Sequence, residues 1–131
     1  MRSQISIEYI AIVATVLILT IPLLFYATTK SSEDTRLNDA GTAVAAIQSL
    51  VDKVYYLGKG TRDFTVVTIP SGVTTASVQD KEVLLTLGIY GGQNDITRNT
   101  IAPMVGSIPN QKGTYRIFAT YEQSGVVNVT Y

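Results

Sequence analysis

Glu8 is the residue of this sequence that most needs a chemical explanation. It belongs to Gln4-Ile5-Ser6-Ile7-Glu8-Tyr9, and no further charge follows until Lys30. A carboxylate at the mouth of an uncharged run is costly in hydrocarbon unless a cation meets it. Near the first turn of a helix it also complements the positive end of the helix dipole. Other chemistry is thinly supplied. With no Cys and no His, the chain lacks disulfides, thiol nucleophiles, imidazole bases and the usual zinc ligands. Ser, Lys and carboxylate residues are scattered without the spacing of a catalytic set, so the sequence argues against an enzyme and implies no cofactor and no metal. Gly91-Gly92-Gln93-Asn94-Asp95 matches neither a phosphate loop nor a complete calcium loop. Asp80 and Asp95 have the chemistry to touch a cation in a loop, and solvated turns use the same residues. Asn128-Val129-Thr130 is an N-glycosylation sequon, suited to an extracellular domain but set within a predicted strand.

The element that positions Glu8 is the run from Ile10 to Tyr26. A helix of about 20 residues rises ~30 Å, the thickness of a bilayer's hydrocarbon core. Large aliphatic and Phe side chains fill Ile10–Phe25 on every face. At ~1.5–3 kcal/mol each, their exposure to water would cost on the order of 15–30 kcal/mol, an upper bound. Such a helix belongs in lipid or in a bundle of helices like itself. The run is too long for an ordinary signal-peptide core, and Tyr26-Ala27-Thr28-Thr29 is a poor small-x-small cleavage site, so the segment is expected to be retained. A short leader stays inside, which places the rest of the chain outside. Pro22 is a candidate kink: it removes one helical hydrogen bond, the freed carbonyl can be served by the Thr15 or Thr20 hydroxyl or by local adjustment, and the helix is expected to continue with at most a bend.

Beyond Lys30 the composition turns polar while the helical period persists. Leu37, Ala40, Val44, Ile47, Val51 and Val54 recur at three- and four-residue steps, and Leu50 and Leu57 widen the face. Gly58-Lys59-Gly60 is a C-terminal stop. If helical throughout, Gln4 to Leu57 would span ~80 Å. The stripe is expected to cover the chain's own β domain, with subunit contact as the alternative. Strand patterns follow at Phe64–Ile69, at Val73–Gln79 with an Asp80-Lys81 reversal into Glu82–Tyr90, and at Thr114–Tyr121 turning into Val126–Tyr131. Gly91 to Asn110, with Pro103 and Pro109, is expected to be loop-rich. The fold class is α+β, a long N-terminal hydrophobic helix followed by a small antiparallel β-sheet domain. Its parts are residues 1–3 as leader, 4–29 as span, 30–60 as distal helix and 61–131 as β domain. Lys+Arg 10 against Asp+Glu 10 implies no nucleic-acid partner. The eight tyrosines are read as packing and interface residues.

Taken whole, Gln-x-Ser-x-Glu-Tyr before an uncharged span resembles the class III signal peptide of archaeal type IV pilin-like proteins. The resemblance covers the N-terminal third and the lollipop layout, and leaves the β domain's sequence aside. It implies cleavage by a membrane peptidase between Ser3 and Gln4, with Gln4, Ser6, Glu8 and Tyr9 as the recognised motif. Glu8 then becomes the fifth mature residue, neutralising the new α-amino group of a neighbouring subunit and setting register. The implied partners are the membrane for the precursor, copies of the chain in a homo-polymeric helical filament, a prepilin peptidase, an assembly ATPase and a polytopic platform protein. The implied product is an adhesive filament on the cell surface. Alternatives are an archaellin, whose leaders are usually longer, more basic and end in Gly; a minor pilin; or a membrane-anchored extracellular binding module that does not polymerise.

Overall fold

The computed structural model describes the backbone of residues 2–131 and the side chains of residues 6–131. One helix, α1, runs over Arg2–Leu57 and passes through Pro22 without interruption. It ends where the sequence offers glycine: Gly58 and Gly60 take φ of 101° and 87°, and the Gly58 N–H returns to the Tyr55 carbonyl at 3.2 Å. A side chain at those angles would be strained, so the helix stops there. The chain divides into two compact units, Met1–Asp34 and Thr35–Tyr131.

Among the described residues, the first unit has no core. Its large apolar side chains are exposed, from Ile7 through Ile12, Leu19 and Leu23 to Tyr26. It is long and apolar enough to cross a membrane, with a mean hydropathy of 2.5 over its most apolar window. The helix continues through Pro22 as expected, and the two nearby hydroxyls bond elsewhere. Thr15 donates to the Ala11 carbonyl at 2.8 Å and Thr20 to the Val16 carbonyl at 2.6 Å. Each hydroxyl reaches back one turn, so neither reaches the Ile18 carbonyl that Pro22 leaves without its usual donor.

In the second unit the sheet contains β1 (Arg62–Ile69), β2 (Val73–Ile89), β3 (Gly92–Gly106), β4 (Gly113–Tyr121) and β5 (Val127–Thr130), in the order β1-β4-β5-β3-β2. The helical stripe lies in its core: Ala40, Val44, Ile47, Val51 and Val54 are fully buried together with Ile69, Leu85, Leu87, Met104, Ile117, Val127 and Val129. Ala43 joins the stripe unexpectedly, and Leu57 leaves it, 61% exposed at the helix end.

The expected α+β arrangement is present, but the sheet is mixed. β5 is antiparallel to β4, with Tyr121 opposite Val127, and parallel to β3, with Met104 opposite Val127. The reason is topological. With β5 removed, β3 and β4 are antiparallel neighbours, and a strand inserted between them must run parallel to one. The fit is close at one point. Gly106 pairs with Val129, and the Ser107 N–H donates to the Val129 carbonyl at 3.1 Å. A Cβ on Gly106, whose φ is 138°, would run into that carbonyl oxygen and come within 2.8 Å of its carbon.

The loop-rich expectation for 91–110 is also corrected, because most of it is β3. Tyr90 and Gly91, at φ 54° and 71°, form the tight reversal from β2 into β3, the left-handed pair that such hairpins require. Pro103 is tolerated because Thr100–Pro103 bulges out of the ladder. Asp80 pairs with Met104 and Glu82 with Asn99, so four residues of β3 stand against Lys81 alone. Side chains from α1 satisfy the bulge. Gln48 donates to the Asn99 carbonyl at 2.6 Å, and the Ile101 N–H donates to Asp52 at 2.9 Å. β2 itself folds back at Asp80, whose φ is 53°. Its first arm returns along its second, with the Gly88 N–H on the Gly72 carbonyl at 2.9 Å and the Thr74 hydroxyl on the Thr86 carbonyl at 3.2 Å.

Candidate functional site

The N-terminal motif is carried by the first turns of α1. Ser6, Glu8 and Tyr9 lie on helical backbone with exposed side chains. The cleavage position between Ser3 and Gln4 falls outside the residues whose side chains are described. Glu8 has no hydrogen-bond or ion-pair partner among the described residues, and the apolar residues after it are exposed in every direction. A single copy thus presents one exposed carboxylate beside a long apolar surface.

The other residues singled out in the sequence are placed elsewhere. Asp95 accepts the Thr86 hydroxyl at 2.7 Å, tying β3 to β2. Asp80 occupies the fold-back of β2. Among the described residues no three His, Cys, Asp or Glu side chains come together in a way that could hold a metal ion. Asn128 is half-buried in β5, between β3 and β4, and its side-chain amide donates to Glu122 at 3.0 Å. A glycan on that nitrogen would leave it one N–H, so the bond to Glu122 would compete with the sugar for the geometry around the amide. Pro22 lies within the exposed apolar unit.

Three arrangements carried no clear sequence signal. A ladder of rings and guanidinium groups crosses the outer face of β1 and β4. Arg62 sits 4.7 Å from the Phe118 ring centre, Arg116 sits 5.0 Å from that of Phe64, and the two rings are 5.9 Å apart. The alternation of Thr114–Tyr121 was legible, but not this pairing, which depends on register. Tyr55 packs on Tyr121 at 5.2 Å, joining the end of α1 to the end of β4. Lys53 on α1 meets Asp63 at the start of β1 with a 2.6 Å ion pair.

The Lys53 hydrogen bond, together with the Phe64 N–H at 2.8 Å and the Lys53 charge, holds the Asp63 carboxyl below its ordinary value of 3.8. A carboxyl lowered in the folded state contributes stability that is present above its unfolded value and lost as pH falls through the folded one. The urea midpoint of Asp63→Asn should therefore lie slightly below that of the parent at neutral pH. The difference should close at the acid end of a pH series begun below 3.8. A gap that persists unchanged into acid would mean that the charge is not what the pair contributes.

Compared with protein-family models, with curated proteins and with solved structures, the chain matches none.

Proposed function

We propose that the chain is a pilin-like structural subunit of an extracellular filament. In this reading it is held in the membrane by its span as a precursor and polymerises through its N-terminal helix after the leader is removed. The observation that carries this reading is the exposure of apolar side chains on every face of the helix from Ile7 to Tyr26. A surface of that kind requires lipid or sister helices, and a filament uses the two in succession. Glu8 supports the same reading, since a lone carboxylate beside an apolar surface calls for a cation from a neighbour. The α-amino group created by cleavage before Gln4 would supply it. The sheet-bearing unit would coat the outside, adhesion would be the use, and assembly would be heterologous and open, as helical symmetry requires.

The test is the intact mass and N-terminal sequence of the chain in material sheared from cell surfaces. The expected result is a chain beginning at Gln4 and recovered in the high-speed pellet. A chain beginning at Met1, or one that remains monomeric when extracted in detergent, would overturn the filament reading in favour of a membrane-anchored module.

A further inference from the structure

β1 and β4 each carry Arg-x-Phe, as Arg62-Asp63-Phe64 and Arg116-Ile117-Phe118. The strands are antiparallel, with Arg62 opposite Thr120, Phe64 opposite Phe118 and Val66 opposite Arg116. Residues two apart on a strand share a face, so the two tripeptides set their four long side chains on one face, related by a local two-fold. Each arginine reaches diagonally to the ring on the other strand, which is why Arg62 covers Phe118 and Arg116 covers Phe64. The alternate residues Val67, Ile117 and Ala119 are buried in the core with the stripe of α1. The Arg–Phe face is therefore the one turned away from α1.

A guanidinium that lies over a ring is held through its flat face. Its N–H donors lie in its own plane and remain unspent. Arg62 and Arg116 are exposed, and neither has a hydrogen bond or an ion pair among the described residues. Lys53 and Lys59, by contrast, are engaged by Asp63 and by the Gln123 carbonyl. The carboxylates closest in sequence are also spent. Asp63 alternates to the other face, where it meets Lys53, and Glu122 accepts from Ser124 and Asn128 at the border of the face. The rest of the surround is neutral: Thr68 and Thr114 at one end, Thr120 at the other, and Thr130 beyond Phe118. Two pre-set cations with free forked donors, in a surface of hydroxyl groups, complement carboxylates.

The same geometry selects among polyanions. Nucleic acid on a sheet face stacks its bases on open rings, and here a guanidinium already lies over each ring. Two cations on a chain whose charges balance at ten and ten also neutralise few phosphates. An extended acidic peptide would need a free strand edge, whereas β4 is bonded to β1 on one side and β5 on the other. An acidic polysaccharide needs neither, since it carries its carboxylates on a chain of hydroxyl groups.

We infer that the Arg–Phe ladder on the outer face of β1 and β4 binds a carboxylated polysaccharide, with Arg62 and Arg116 each taking a carboxylate. The inference rests on the extracellular filament reading and deepens it by naming the class of polymer to which the filament adheres. With the helices in the filament core, the face turned away from α1 would recur on the outside at every subunit, so that weak single contacts multiply.

The test is retention of sheared filaments on beads bearing polygalacturonate, with neutral dextran beads as the comparison. The expected result is retention on polygalacturonate alone, falling as salt is raised. Arg62→Gln with Arg116→Gln in one chain should lower the retained fraction by about tenfold or more. Arg62→Lys with Arg116→Lys keeps both charges without the planar fork and should fall between that variant and the parent. Lys81→Gln with Lys112→Gln removes as much charge from exposed positions off the ladder and should bind like the parent. Melting of the detergent-extracted chains separates loss of binding from loss of the sheet. Undiminished retention of the Arg62→Gln, Arg116→Gln filaments, an equal loss from the lysine pair, or stronger capture by polyglutamate or duplex DNA would overturn the inference and leave the filament reading standing. If the parent forms no filaments, that reading falls, and retention of the detergent-extracted full chain on the same beads decides the ladder by itself.

Discussion

Gly106→Ala is expected to lower the melting temperature of the sheet-bearing unit by about 10–20 °C. The added methyl meets backbone, the Val129 carbonyl, and backbone on a central strand cannot rotate aside as a side-chain tip would. The strain at φ 138° adds to the collision. Relief requires β5 to move away from β3, which breaks the Ser107–Val129 hydrogen bond and loosens the burial of Val127 and Val129. The combined cost is on the order of 3 kcal/mol, at the high end for a single substitution. A domain of this size typically has only about 5–15 kcal/mol to lose. Thermal melting followed by far-ultraviolet circular dichroism of the detergent-solubilised chain measures the effect. Gly125→Ala, in the exposed turn between β4 and β5, is the comparison. Gly125 also has a positive φ but nothing lies within 4 Å of its added Cβ, so it carries the backbone strain without the collision. Equal losses from the two substitutions would show that strain alone, and not the close approach of β5 to β3, makes Gly106 necessary.

The second large effect is expected at Glu8. Under the proposed function, Glu8→Ala should be processed and membrane-inserted like the parent yet fall more than about a hundredfold in filament yield. Removing one partner of an ion pair held in apolar surroundings strands the other, at about 3–5 kcal/mol for each contact. That loss recurs at every subunit added. Glu8→Gln separates charge from shape, since it retains the side chain's size and hydrogen-bonding capacity but cannot neutralise an amine. It should fail almost as completely as alanine. Quantitative blotting of sheared and membrane fractions reads both outcomes. Normal filaments from either variant would remove the role assigned to Glu8. Loss of the chain from the membrane fraction would instead place the effect on insertion.

The helix was legible in the sequence because its signals are local. The three- and four-residue apolar steps from Ala40 to Val54 and the glycines at 58 and 60 need no knowledge of distant residues. β1, β4 and β5 were legible for the same reason, and so was the reversal at Asp80. β3 was not. Its stretch Gln93 to Arg98 is polar because both sides of the strand are largely exposed, so the alternation that marks a half-buried strand is absent. Pro103 read as a breaker because the bulge that accommodates it is held by Gln48 and Asp52, which lie about fifty residues earlier in the chain. The parallel pairing of β5 depends on which strands flank the slot it enters, a property of strand order that no local pattern encodes. At Glu8 the sequence offers two readings, a cationic partner or the positive end of the helix dipole, and the structure of one copy shows the side chain exposed without deciding between them.

The place of β5 has a consequence for how the sheet comes apart. In the strand order, β1 and β4 form one ribbon and β3 and β2 another, and β5 alone carries hydrogen bonds to both. This four-residue strand acts as a keystone. If it leaves, two ribbons remain that share no backbone bond, each presenting a raw edge to solvent. No intermediate can shed β5 and keep a continuous sheet, so the amides of Val127–Thr130 should exchange with solvent only when the whole unit opens. The shortest strand thereby sets the cooperativity of the whole sheet.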